Sequence, residues 1–182
     1  MAVGFVHKSG PSMAQLRARL EGLRGIQFRA RLAQNLAEAA RTEVANEFRD
    51  ERDPYGVPWE PLKHRQGKIL RDTGRMAASV ATAQVGADGF KIVIGANYAK
   101  YHQEGTKPFQ VKERGARQNA RGRFVGARAR SATLLRIRAH TNPGIPRRQM
   151  LPSADRGGLG PIWRASLDKV ARKLIDDQLR GR

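Results

Sequence analysis

Phe28, Leu32, Leu36, Ala40, Val44 and Phe48 recur every four residues, and this spacing lines one face of a helix running from about Gln27 to Arg49. The opposite face mixes Arg29, Arg31, Glu38, Arg41, Glu43 and Glu47, which reads as a solvated surface. Met13, Leu16, Leu20 and Leu23 repeat at the same period in a shorter preceding helix, ended by Gly22 and Gly25. A third helical stripe runs through Trp163, Leu167, Val170, Leu174 and Gln178, widened by Ile162, Ala171 and Ile175. Pro161 suits the first turn of that helix, and Arg180 and Arg182 place positive charge at its carbonyl end.

Between these helices the period changes to two. Val80, Thr82 and Gln84 alternate with Ala81, Ala83 and Val85, and Phe90, Ile92 and Ile94 alternate with Lys91 and Val93. Gly86-Ala87-Asp88-Gly89 supplies the turn between them, so a β-hairpin is predicted. Asn97 to Gln103 follows as a helical turn with Tyr98, Tyr101 and His102 at or near its inner face, and Leu134, Leu135, Ile137 and Ala139 form a strand returning to the sheet. Asp53-Pro54-Tyr55-Gly56 combines a preset φ with a residue tolerant of positive φ, so the chain reverses there. Trp59, between Pro58 and Pro61, plugs the edge of a core, and Asp72 or Thr73 caps the short segment through Ser79.

The fold class these elements imply is α+β, with long amphipathic helices packed on a small antiparallel sheet. Residues 1–12 show no periodicity and form an extended N-terminal arm; residues 13–182 form a single domain with an insertion at about 107–140. Gly157-Gly158-Leu159-Gly160 is a joint before the last helix.

Charge alters this picture. The chain has 35 Lys and Arg against 16 Asp and Glu, a net charge of +19, which calls for a polyanionic partner or an acidic surface in an assembly. The excess concentrates in 107–140, where Lys107, Lys112, Arg114, Arg117, Arg121, Arg123, Arg128, Arg130, Arg136 and Arg138 face the single acid Glu113. Glycines at 115, 122 and 126 interrupt any helix, so the segment reads as a long basic loop with room for a short hairpin of its own. Arginines spaced in this way can follow a phosphate backbone without reading sequence, or order against an acidic neighbouring subunit. With only Phe109 and Phe124 as aromatics, the segment is no base-stacking platform.

Candidate chemistry is sparse. The chain has no cysteine, which excludes disulfides, thiolate nucleophiles and Cys-ligated metals. His7, His64, His102 and His140 lie far apart in sequence, without the H-E-x-x-H spacing of a zinc site. Ser79, Ser131, Ser153 and Ser166 lack a G-x-S-x-G setting, and no Lys-Ser/Thr follows the glycine-rich joint. Asp53 and Asp72 are accounted for by turn and cap roles. His102 with Glu104 is the one suggestive pair, and a packed, hydrogen-bonded histidine explains it better. The residues therefore predict no enzyme, no cofactor and no metal. No apolar run reaches the length of a membrane span, and no signal peptide is expected.

Three motifs, in order, resemble the phage virion morphogenesis family. The first is F-x-x-E-x-D-P-x-G-x-P-W-x-P-L, from Phe48, followed after a basic spacer (Lys63, His64, Arg65, Lys68) by L-R-D-T-G-R-M-x-x-S-V, from Leu70. The second is Tyr98 to Gly105, similar to Y-A-x-x-H-x-x-G, and the third is Ile145 to Leu151, similar to I-P-x-R-x-hydrophobic. The resemblance implies a structural virion protein that completes the tail or joins tail to head in the neck. It also implies a six-fold homo-oligomeric ring, with other neck or tail proteins and packaged DNA as partners. The residues that carry it, in structural roles, are Pro54, Gly56, Trp59, Leu70, Asp72, Thr73, Gly74, Tyr98, His102, Gly105 and Pro146. The long basic insertion departs from the family pattern. Its Arg114, Arg117, Arg121, Arg123, Arg128, Arg130, Arg136 and Arg138 are candidate contacts to DNA in a channel or to a neighbouring subunit. The competing reading is a nonspecific nucleic-acid-binding protein of chromosomal or ribosomal type.

Overall fold

A computed structural model of the chain describes residues 12–63, 66–118, 124–125 and 133–181. Residues 1–11 of the expected arm, with His64 and Arg65, lie outside them. Ser12, assigned to the arm from sequence, is instead the N-cap of helix α1 (Met13–Arg24): its hydroxyl accepts from Gln15 N, and the Gln15 side chain accepts from Ser12 N. The chain divides into two compact units, Met1–Ala99 with Gln149–Arg182, and Lys100–Arg148.

In the first unit, Gly25 alone separates α1 from α2 (Ile26–Asp50). The buried line of α2 is Phe28, Ala33, Ala37, Ala40, Val44, Glu47 and Phe48. Two features differ from expectation. Ala33 and Ala37 take the closest positions, leaving Leu32 and Leu36 half-buried, because small side chains let α2 approach the hairpin and the last helix. Glu47, assigned to the solvated face, is buried.

The hairpin joins β1 (Val80–Gly86) to β2 (Gly89–Ile94) in antiparallel register, with Val80 opposite Ile94 and Thr82 opposite Ile92. A register shift between Ala83 and Gly86, with Gln84 at φ 52°, ends the alternation early, and both Gln84 and Val85 are exposed. Ahead of the hairpin, the short helix α3 (Arg75–Ala78) has Gly74 as its N-cap residue, and of the two predicted caps the Thr73 hydroxyl accepts from Arg75 N at 3.5 Å, a long contact to the first turn. The core gathers Val44, Phe48, Trp59, Met76, Val80 and Met150, with Phe90, Ile92 and Ile94 packed against it. Trp59 meets Phe48 edge to face, with ring centroids 5.7 Å apart, and donates its indole N–H to the Gln149 carbonyl at 2.8 Å. Its own backbone N–H reaches the Glu51 carbonyl at 2.8 Å.

The second unit begins within α4 (Ala99–Glu104), whose first residue ends the first unit. Strand β3 (Phe109–Val111) pairs antiparallel with β7 (His140–Asn142). Strand β4 (Arg114–Gln118) pairs with β5 (Phe124–Val125) on one side and β6 (Thr133–Ile137) on the other. The described part of 107–140 is thus largely strand rather than loop. Leu134, Leu135 and Ile137 do form a strand, but it pairs with β4 and not with the β1–β2 hairpin. The last helix of the chain, α5 (Pro161–Arg180), has proline in its first turn and a left-handed Gly181 at its C-cap. The class is α+β, as expected.

Replacing Trp59 by Ala removes a buried ring and orphans the Gln149 carbonyl. The expected cost is about 3–5 kcal/mol, a fall in melting temperature of roughly 6–20 °C. Trp59→Phe, which keeps the ring contact and loses the hydrogen bond, should cost clearly less. Thermal melts of both variants by circular dichroism check the order.

Candidate assembly surfaces

The first motif is a structural lock. The Gly56 N–H donates to the Asp53 carbonyl at 2.9 Å, closing the predicted turn over Pro54 and Tyr55. The buried Asp53 carboxylate accepts from Tyr55 N and Val57 N through one oxygen, and from Arg156 at 2.6 Å through the other. Arg156 also donates to the Gln149 side chain at 2.9 Å and lies over the Tyr55 ring, 4.0 Å from its centroid. The Tyr55 hydroxyl donates toward the Gly158 carbonyl at 2.8 Å and accepts from Ser153 N at 3.1 Å. Gly160 completes the lock: a Cβ there would lie 2.1 Å from the Pro54 carbonyl oxygen, so only glycine lets these strands of chain pass. Sequence reading found Pro54, Gly56 and Trp59 but missed Gln149 and Arg156. Their partners lie about a hundred residues away, and no local pattern marks them.

Leu70 adopts φ 57° and packs against the core, Gly74 adopts φ 72°, and Asp72 and Thr73 are exposed between them. The second and third motifs meet inside the second unit. The Arg148 N–H donates to the His102 carbonyl at 2.7 Å, Thr106 N to the Ile145 carbonyl at 2.9 Å, and Ile145 N to the Thr106 hydroxyl at 2.7 Å, with Pro146 between the two crossings. Gly105, at φ 74°, would place a Cβ 3.1 Å from the Ile145 oxygen. His102 is half-buried, and burial first, then the nearby Arg148 charge, hold its imidazole below the usual range. Tyr98 and Tyr101, expected on the inner face of this turn, are exposed; Ala99 is the buried residue, because α4 is too short to bury more than one side.

The basic candidates separate into three groups. Arg136 is ion-paired with Glu113 on the surface, and Arg138, Lys107 and Lys112 are exposed. Arg114 and Arg117 occupy β4, opposite Ile137 and Leu134 of β6. Arg121, Arg123, Arg128 and Arg130 lie outside the described residues. Among the described residues no cluster of His, Asp or Glu could hold a metal ion, and no helix is long and apolar enough to cross a membrane.

Two apolar surfaces of the first unit are uncovered by its described residues. Helix α1 has no buried residue, and Met13 and Leu20 are 81% and 56% exposed. Leu36, Phe90, Ile92, Leu159 and Leu167 line an open groove of about 520 Å³. The periodicity marked the stripes that supply both, Met13, Leu16 and Leu20 in one and Leu36, Phe90, Ile92 and Leu167 in the other, but a stripe does not show what covers it.

A family model describing phage virion morphogenesis proteins matches residues 12–174. The chain belongs to the phage virion morphogenesis family. No curated protein and no solved structure matches it. The family gives this morphogenesis protein a structural, assembly role rather than a catalytic one, a location in the virion, and other virion proteins as partners.

One buried group in this morphogenesis protein carries a pH signature. Glu47 is 4% exposed and accepts a hydrogen bond from the Trp163 indole N–H at 2.5 Å, while its second oxygen has no partner. Burial, opposed by that hydrogen bond and reinforced by the Asp53 charge, pushes its carboxyl up to about 9, so it is protonated at neutral pH. Between its unfolded value of 4.5 and about 9 the folded state binds the extra proton. Stability therefore falls as pH rises through that window, by up to about 1.4 kcal/mol per pH unit. Glu47→Gln should match the wild type near pH 4.5 and exceed it increasingly toward pH 9; parallel denaturant titrations of the two proteins across that range test this.

Proposed function

We propose that this protein completes the tail or joins it to the head, as one subunit of a six-fold ring in the neck, with its basic segment 107–140 directed at packaged DNA. The observation that carries the reading is the family match over 12–174, which places the chain among virion assembly proteins. Three features support the finer statement. A chain of +19 repels itself in isolation and is stabilised by an acidic neighbour or nucleic acid. Its first unit presents a convex and a concave apolar surface, as head-to-tail contacts around a ring require. Arg138, just after β6, and Lys107 and Lys112 ahead of β4 are exposed, suited to nonspecific phosphate contact. The family match supports a role of contact rather than turnover.

The salt-sensitive term follows from the charge. Replacing Arg117, Arg121, Arg123, Arg128 and Arg130 together by Gln should leave the melting temperature within a few degrees of wild type and reduce infectious titre strongly. The variant's DNA affinity should also fall less steeply with salt, by a slope of up to about 0.9 per lost phosphate contact. Phage carrying the variant, compared with wild type by plaque assay and electron microscopy, tests this: unjoined heads and tails are expected, and normal titres contradict the proposed role of the segment.

A further inference from the structure

We propose that α1 of one copy seats in the α2/β2/α5 groove of the next copy, forming the repeating contact of the assembly. This rests on the ring reading and names the surfaces that would build it. Met13, Leu16 and Leu20 sit at i, i+3 and i+7, so their exposed side chains form one stripe on one side of the helix. The helix is held in place from its other side, where Arg19 donates to the Leu179 carbonyl at 2.7 Å and Gly22 lies against the Gln178 side chain. The stripe is therefore presented on a fixed support, at little further cost in ordering.

The receiving surface is concave and apolar. Leu36, Phe90, Ile92, Leu159, Leu167 and Ala171 line it, and its one charged wall residue is Asp168. In a chain of net charge +19, a lining with no cation and one carboxylate is where a second copy can approach without added repulsion. Helix α1 brings the matching charge: Arg17, one residue from Leu16 and three from Leu20, is exposed. An amphipathic helix laid into an apolar groove, with a cation at its margin facing an acid on the rim, is a common mode of recognition.

A chain cannot fill its own groove with α1. The helix is tied to α5 at Gln178 and Leu179, whereas the groove runs along α5 at Leu167 to Ala171, about 10–18 Å nearer the N-terminus. Because the two surfaces are different patches of one unit, the contact is heterologous, and repetition closes into a ring or extends as a filament.

The test uses the full chain, nuclease-treated, by sedimentation at high salt. Leu20→Asp spoils the helix and Leu159→Asp spoils the groove; both positions are exposed, at 56% and 42%, so melting temperatures should stay near wild type. Each variant should self-associate about a hundred-fold more weakly than wild type. Mixed together they should form one-to-one dimers and nothing larger, since one sound helix and one sound groove remain between them. Arg17→Asp should also weaken assembly, and adding Asp168→Arg should restore it; this pair keeps the test decisive if an apolar replacement disturbs the fold. Variants that assemble like wild type would overturn this contact and leave the ring reading standing, as would a mixture that fails to dimerise. A wild-type chain that stays a single subunit at every concentration would overturn both.

Discussion

The ion pair between Asp53 and Arg156, 2.6 Å apart and roofed by the Tyr55 ring, is the constraint on which the first unit depends. Asp53 is buried, and a buried carboxylate is tolerated only when its lone pairs are used. Two backbone N–H groups of its own turn and one guanidinium use them, and the same guanidinium binds the Gln149 side chain. In this way a turn that follows α2 is fastened to a segment a hundred residues later. Trp59 and Met150, each next to a member of that network, are delivered into the core. The closeness of Gly160 to the Pro54 carbonyl then sets where α5 begins.

The first motif is therefore half of a lock, and its other half is Gln149 of the third motif with the residues from Ser153 to Gly160. The second and third motifs make a smaller crossing of their own, through His102, Thr106, Ile145 and Arg148. None of these arrangements resembles catalytic machinery; they hold backbone segments in register. That is the task expected of an assembly subunit, whose surfaces must keep their shape while neighbours add. Glu47, buried as a neutral acid beneath Trp163, shows that the core accepts a pH-dependent weakness at its centre.

The sequence disclosed the helices because each has an apolar period sustained over several turns, and the hairpin because Gly86 and Gly89 bracket two alternating runs. It disclosed less wherever the deciding partner is distant. Glu47 sits beside Phe48 and three residues after Val44, at the margin of the stripe, and only the approach of Trp163 makes it buried. Ala33 and Ala37 displaced Leu32 and Leu36 from the deepest positions because close packing between elements favours small side chains, which hydrophobicity alone does not register. In 107–140 the charge density concealed a strand pattern, since β4, with Arg114 and Arg117 among five residues, carries little apolar signal. The family motifs were legible from their order, although the hydrogen bonds that explain them were not.

Charge and shape together make assembly the central claim: a strongly basic subunit with an uncovered helix and an open groove, belonging to a virion morphogenesis family. The most direct test is to add the purified, nuclease-treated chain to isolated tails from phage that lack it, and to image the mixture by electron microscopy. The account predicts closed rings of the protein at one end of each tail, and tails that then join to heads. Unmodified tails, with the protein remaining as single subunits or bound only to added DNA, would contradict it.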